Sequence, residues 1–293
     1  MNQPLESKKK IVGLAISGGW IRAAAAIGVI EILEENGIKI SMVSGCSAGA
    51  IVASVYAAGS LDHFRKRFKS GKFREYWQVM FEPAFPRQGL LRGSRVKEFW
   101  KEFVGEKNFA ELEKPLYLAA TDLNSLSGVI IESGNVAEAM QACIGVPGMF
   151  VPVMSEEHVL SDGGNLNLIP SQILYDRGAD YVIAVDISKY PNLITQTYGN
   201  FKKLIGHKEA VCLNKPKSCP RRLGLFRLMW RAANLTATHL KNFSHASYHY
   251  DILIRPDVIG VKRWDIAKVD YLVKRGREAA LRQLLKIKHD LND

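Results

Sequence analysis

Short uninterrupted apolar runs alternate with helical apolar periodicity through the first two thirds of the chain. Residues 10–16, Lys-Ile-Val-Gly-Leu-Ala-Ile, predict a strand buried on both faces of a parallel sheet. Ser17-Gly18-Gly19-Trp20 is the turn after it. From Ala23 to Glu35, small residues on one side and Ile27, Ile30, Ile32 and Leu33 for packing predict a helix, with Asn36-Gly37 as its stop. Ile38 to Val43 has strand character again, and Ala48 to Ala58 is small and apolar, as a buried helix is. Strand, glycine turn, helix, strand, sharp turn, helix is the opening of an α/β sheet with parallel pairing.

The stretch from Asp62 to Val104 breaks this rhythm. It is rich in aromatic and basic residues around Pro83, Pro86 and Gly89, and reads as amphipathic helices joined by a loop. Such a segment either caps a cleft or packs as core, since aromatic residues at helical spacing are usually core. Strand signals resume at Leu116–Thr121 and Gly128–Glu132, and a helix follows over Val136–Ile144, ended by Gly145-Val146-Pro147-Gly148. Val159 to Ser161 is a short strand, Ser171 to Arg177 a helix, and Tyr181 to Val185 another buried parallel strand. Residues 188–247 carry the weakest pattern, with Pro216 and Pro220 ahead of a basic helix over Leu223–Asn242. A late strand at Asp251–Arg255 and a long basic amphipathic helix over Val269–His289 close the chain. With no repeat, low-complexity tract or linker, the expectation is one domain over residues 1–293.

Composition narrows the class. With 47% hydrophobic and 24% charged residues the chain is of ordinary globular type. No apolar run approaches the roughly 18 residues of a membrane-spanning helix. Lys8-Lys9-Lys10 before Ile11–Ile16 has the outline of a signal peptide, but Gly18-Gly19-Trp20 and Arg22 interrupt it too early. The first strand is the better reading, and the cytoplasm the expected compartment. Cys46, Cys143, Cys212 and Cys219 include no C-x-x-C pair, and the histidines form no H-E-x-x-H, so neither a disulfide framework nor a metal site is expected. No cofactor is called for. The net charge of +11 favours anionic partners. No nucleic-acid-binding motif accompanies it, which leaves peripheral contact with an anionic membrane surface beside a plain solvated surface.

Chemistry concentrates in Gly45-Cys46-Ser47-Ala48-Gly49, between a strand and a helix. A serine on so tight a turn needs small residues two before and two after it, and its hydroxyl then stands at a helix N-terminus that favours developing negative charge. A glycine-flanked turn with a capping serine has the same letters. Cys46, among small apolar neighbours, reads as packing. Far downstream, Asp162-Gly163-Gly164 follows a short strand; alone, Asp-Gly signals only a turn.

Together these three features resemble the patatin-like phospholipase family. The resemblance runs from about Ile11 to Asp186 and is fullest over Gly18–Gly49 and over Ala142–Val153, continuing through Asp162-Gly163-Gly164 and Asn167–Pro170 to Gly178–Asp186. It implies a three-layer α/β/α fold with a mainly parallel central sheet. It also implies a lipid acyl hydrolase of phospholipase A or esterase type, acting on an acyl-ester substrate through a Ser47–Asp162 dyad and an acyl-enzyme. Amides of Gly18, Gly19, Trp20 and Ala48 would form the oxyanion hole, with Arg22, Gly45, Gly49, Gly163 and Gly164 supporting the motifs.

Two positions of the glycine turn depart from the family's Gly-Gly-Gly-x-Arg/Lys-Gly. Trp20 stands at the third glycine and Ala23 at the last; Leu168 stands where a second asparagine is common. A positive φ at position 20 would strain a residue with a side chain, and a bulky indole would take space from an acyl chain. Two further readings follow: a Ser–Asp–His esterase using His239, His245, His249 or His158, and a lipid- or membrane-binding protein that keeps the fold without turnover.

Overall fold

The computed structural model describes residues 9–70, 73–84, 89–155, 157–188 and 249–292. The helix expected over 223–242, together with Cys212, Cys219, His239 and His245, lies outside the described residues.

Strands β1 (Val12–Ile16) and β2 (Ile40–Cys46) pair in parallel, as the continuous apolar runs predict. A short 3-10 turn, Trp20–Ala23, and helix α1 (Ala24–Glu35) connect them, and helix α2 (Ala48–Ala57) follows β2 after a single residue. Helices α3 (Leu61–Ser70), α4 (Phe73–Met80) and α5 (Ser94–Val104) come next, with strand β3 (Gly89–Leu91) between α4 and α5. Strands β4 (Leu116–Asp122) and β5 (Ser127–Ile131) form a hairpin, followed by helix α6 (Val136–Ile144) and strands β6 (Gly148–Phe150), β7 (Val153–Met154) and β8 (Val159–Asp162). Helix α7 (Gln172–Asp176), strands β9 (Tyr181–Val185) and β10 (Ile252–Ile254), and helix α8 (Val269–Asn292) complete the described chain.

The main sheet has the order β10-β9-β1-β2-β4-β8-β7, with β5 also on β4. Pairing is parallel from β10 through β4 and antiparallel among β4, β5, β8 and β7. Alternate residues of one strand enter opposite cores. Val12, Leu14 and Ile16 of β1 join the large core beneath α1 and α2, whereas Ala15 joins a smaller core with Leu174 of α7. Tyr181, Ile183 and Val185 of β9 divide from Val182 and Ala184 in the same way. A strand buried on both faces needs no polar alternation, hence the uninterrupted runs.

β4 organises the site end of the sheet. Along one edge it pairs with β5. Its other edge is shared in sequence, first with β2 as far as Cys46 opposite Ala119, then with β8 starting from Asp162 opposite Ala120.

Helix α8 lies against α1 through two glycines. A Cβ at Gly28 would run into the Val273 carbonyl, and one at Gly276 into the Ala25 carbonyl. Arg277 then reaches across to Glu31 at 2.7 Å and forms a paired bridge to Glu35 at 2.8 and 2.7 Å. Beneath this helix pair, Phe64, Trp100 and Phe103 pack edge-on and tilted in the large core, so part of the aromatic 62–104 segment is core. Strands β3, β6 and β7 carry no local signal; β3 pairs with β6 in parallel, and Leu91 of β3 also bridges Pro83. No helix among the described residues is long and apolar enough to cross a membrane.

Candidate active site

The turns that follow β1 and β2 lie side by side, because Ile16 pairs with Gly45. β2 runs through Cys46, three residues beyond the apolar stretch that announces it, and delivers Ser47 directly to the start of α2. Ser47 has φ 53° and ψ −128°, a backbone conformation unfavourable to side-chain-bearing residues and held only when the surroundings enforce it. The flanking glycines show that enforcement. A Cβ at Gly45 would approach the Gly49 carbonyl to 2.6 Å, and one at Gly49 would strike the carbonyls of Ile16 and Ser17. Cys46 is fully buried beside the elbow, in keeping with a packing role.

Across the β4 edge, Asp162 presents its carboxylate to the serine. Ser47 Oγ donates to Asp162 Oδ2 at 2.6 Å, and the Gly164 amide donates to Asp162 Oδ1 at 2.8 Å. The Asp162 backbone is fixed at both ends: its N–H donates to the Gly145 carbonyl at 3.0 Å, and its carbonyl accepts from the Thr121 hydroxyl at 3.1 Å. Gly163 packs so tightly that a Cβ would collide with the Ala119 carbonyl. Asp162 is only 7% exposed. The nearby Cys143 thiol is pushed well up by burial and by the Asp162 charge, which keeps it protonated and inert.

The glycine turn faces this pair. Ala48 is the first residue of α2, so its N–H has no intrahelical acceptor. Among the described residues the Gly18 and Gly19 amides donate to no backbone acceptor. Arg22, buried to 8% exposure, donates from Nε to the Gly19 carbonyl at 2.9 Å. Because C=O and N–H point in opposite directions across a trans peptide, that bond turns the Trp20 N–H away from Arg22. Burial, and secondarily the charge of Arg263, lower the pKa of the Arg22 guanidinium from its ordinary value.

Trp20 adopts φ 57°, the left-handed conformation that glycine takes without penalty. The strain expected of a side-chain-bearing residue at this position is therefore present. It costs about 1–2 kcal/mol. The indole meets Trp264 edge-on at 4.8 Å between centroids and 68° between planes, with Arg263 over its ring at 5.4 Å. An edge-to-face pair contributes about 0.5–1.5 kcal/mol and an exposed cation–π contact about 0.5–1 kcal/mol, enough together to offset the strain. Arg263 and Trp264 carry no motif. They reach the site from the β10–α8 connection, and only the folded chain reveals them.

Ser47 and Asp162 open into a cavity of about 1190 Å³, its mouth included. Its walls are apolar, drawn from α1 and α2, from Phe64, Phe68 and Trp100 of α3 and α5, and from Ile144 at the end of α6 and Val146 just beyond it. The 62–104 segment is thus core and cavity wall at once. Trp20 lines this space without closing it. Elsewhere, His158 Nδ1 lies 3.2 Å from Asp122 Oδ2, and His249 is on the surface. Neither position supports a Ser–Asp–His arrangement. Among the described residues no group of three or more His, Cys, Asp or Glu could hold a metal ion.

Residues 14–175, more than half of the chain, match the family model for patatin-like phospholipase. The chain belongs to the patatin-like phospholipase family. An uncharacterized NTE family protein of Mycobacterium tuberculosis is 34% identical over 177 residues, 60% of this chain and 49% of its own length. Lysophospholipase nte1 of Aspergillus niger is 25% identical over 285 residues, 95% of this chain and 18% of its own. The patatin-like chain therefore spans about half, or less, of the length of these relatives. Among solved structures, ExoU of Pseudomonas aeruginosa in complex with SpcU matches with a TM-score of 0.47 and 16% identity, over 96% of this chain and 52% of that one. VipD from Legionella pneumophila matches at 0.46 and 14%, over 95% and 67%.

Proposed function

We propose that this protein is a lipid acyl hydrolase acting through Ser47 and Asp162. The observation that carries the reading is the 2.6 Å hydrogen bond from Ser47 Oγ to Asp162 Oδ2, on a strained turn at the floor of an apolar cavity. Ser47 Oγ attacks the ester carbonyl as its proton passes to Asp162. The oxyanion collects at the amides of Gly18, Gly19, Trp20 and Ala48. Asp162 then returns the proton to the departing alcohol, leaving an acyl-enzyme. A water molecule, deprotonated by the same carboxylate, releases the fatty acid and restores the serine. The apolar walls take the acyl chain. The name lysophospholipase carried by one relative fits an acyl ester on a glycerol backbone.

The test is labelling by a long-chain fluorophosphonate. Wild type should label covalently, Ser47→Ala not at all, and Asp162→Asn slower by orders of magnitude. A folded wild type that stays unlabelled would favour a lipid-binding protein without turnover.

A further inference from the structure

Helix α8 turns one face to the large core, through Leu272, Gly276, Ala280 and Ile287. At roughly 100° per residue, an opposite arc of about 140° holds Tyr271, Lys274, Leu281, Arg282, Leu285 and Lys286, all exposed. A surface helix ordinarily keeps that side polar. Here Leu281 and Leu285, one turn apart, are 52% and 84% exposed. Single exposed apolar side chains are common, but these two have unusual neighbours. Lys274, Arg282 and Lys286 lie beside them, and none of the three forms an ion pair among the described residues. The nearby carboxylates are engaged elsewhere. Asp270 is 3.2 Å from Lys69, Glu278 is 2.6 Å from Arg275, and Asp290 accepts from the Tyr181 hydroxyl at 2.9 Å. Asp257, whose charge Arg282 also feels, is held by Arg275 at 2.5 Å. His289, on the same arc, lies 3.7 Å from Asp290. The face is therefore apolar at its middle and cationic around it.

We propose that the outer face of α8 docks on an anionic lipid surface, with the helix axis lying in the plane of the interface. Leu281 and Leu285 enter the boundary of headgroups and acyl chains, while Lys274, Arg282 and Lys286 meet the phosphates. Leucines bordered by basic residues are the composition of an interfacial helix, and long basic stems reach outward to the headgroups. A second copy of this chain fits the face less well. A two-fold contact would set the three cations against their own symmetry mates. The helix also leads to the cavity, because Val269 at its start lines the wall. At about 1.5 Å per residue, the two leucines lie roughly 18 and 24 Å along the axis from that point. Docking does not depend on turnover at Ser47.

The experiment is co-sedimentation of the full Ser47→Ala chain with vesicles, so that no turnover alters the lipid. One set holds phosphatidylcholine alone, the other equal parts of phosphatidylcholine and phosphatidylglycerol. Each cation near an anionic surface strengthens binding about fivefold, so the mixed vesicles should bind on the order of 100-fold more tightly. Added salt should erode that margin. Adding Lys274→Gln, Arg282→Gln and Lys286→Gln together should remove it by the same factor. Adding Leu281→Gln and Leu285→Gln changes no charge, and should still weaken binding to mixed vesicles at least about tenfold. All five side chains are exposed, so circular dichroism should stay that of the parent. Binding that ignores phosphatidylglycerol, or a leucine variant that binds like its parent, would overturn the proposal. So would a chain that sediments with neither vesicle. A dimer in solution that the leucine variant dissolves, without vesicle binding, would give the face to a second copy instead.

Discussion

Gly18 and Ser47 lie so close that a Cβ at position 18 would come within 2.9 Å of the Ser47 Cβ. The glycine turn and Ser47 are thus a single packed unit, and the Ser47 rotamer depends on what position 18 lacks. Gly18→Ala should therefore displace the hydroxyl from Asp162. A shift of an ångström at a reacting atom costs about 10²-fold in rate. Fluorophosphonate labelling should slow by that order while circular dichroism stays native; an unchanged labelling rate would show that the turn and the serine are independent.

At position 20, two substitutions separate strain from packing. Trp20→Ala keeps a Cβ in the left-handed region and loses the contacts with Trp264 and Arg263. Trp20→Gly loses the same contacts and relieves the strain. The glycine variant should be more stable than the alanine variant by about 1 kcal/mol, reversing the usual order of these residues. Urea midpoints of the two decide it.

Acid stability should be governed in part by Asp122. This buried carboxylate accepts from the Ser125 hydroxyl at 2.7 Å and from the amides of Asn124 and Val159 at 3.0 Å each, joining the β4–β5 turn to β8. The Ser125 hydroxyl first, then the two amides, hold its pKa far below the ordinary carboxylate range. As pH falls through about 4, the unfolded chain takes up a proton that the folded chain refuses, so stability declines. Asp122→Asn should lower the melting temperature near neutral pH and flatten its fall between about pH 5 and pH 3. An acid limb as steep as that of the wild type would assign the effect to other groups.

Much of the sheet was legible in the sequence, because doubly buried strands leave continuous apolar runs and the elbow leaves its glycines. Asp162 could be named only through the family resemblance that Asp162-Gly163-Gly164 helps to carry, and nothing local says how far it lies from Ser47. That distance comes from β4, which is itself unremarkable in sequence. Strands β3, β6 and β7, of two or three residues each, exist through their partners and not through propensity. Arg263 and Trp264 were illegible for a related reason: their role depends on a long-range approach to Trp20.

The contact between α1 and α8 offers a test of the same kind of long-range dependence. Gly276→Ala would place a methyl against the Ala25 carbonyl, with no flexible side chain to yield. Overpacking of a core commonly costs about 1–3 kcal/mol, and a backbone obstacle belongs at the upper end. Since α1 continues directly from the 3-10 turn that carries Trp20 and Arg22, the variant should lose labelling rate as well as stability. Gly260→Ala serves as the comparison: its φ of 80° brings backbone strain, but no atom lies within 4 Å of the added methyl, so its labelling rate should stay that of the wild type.

Because Cys46 and Asp162 are registered against consecutive residues of β4, the spacing of Ser47 and Asp162 is inherited from one strand's pitch and not from the chain that joins them. Ser47 and Asp162 lie 115 positions apart in sequence, and outside β4 the segments between them are mechanically decoupled from that spacing. Loops and helices between the two can lengthen, shorten or be exchanged while the reacting atoms keep their separation. One residue inserted between Ala119 and Ala120 would not enjoy that freedom: it would part the pair by a full strand step.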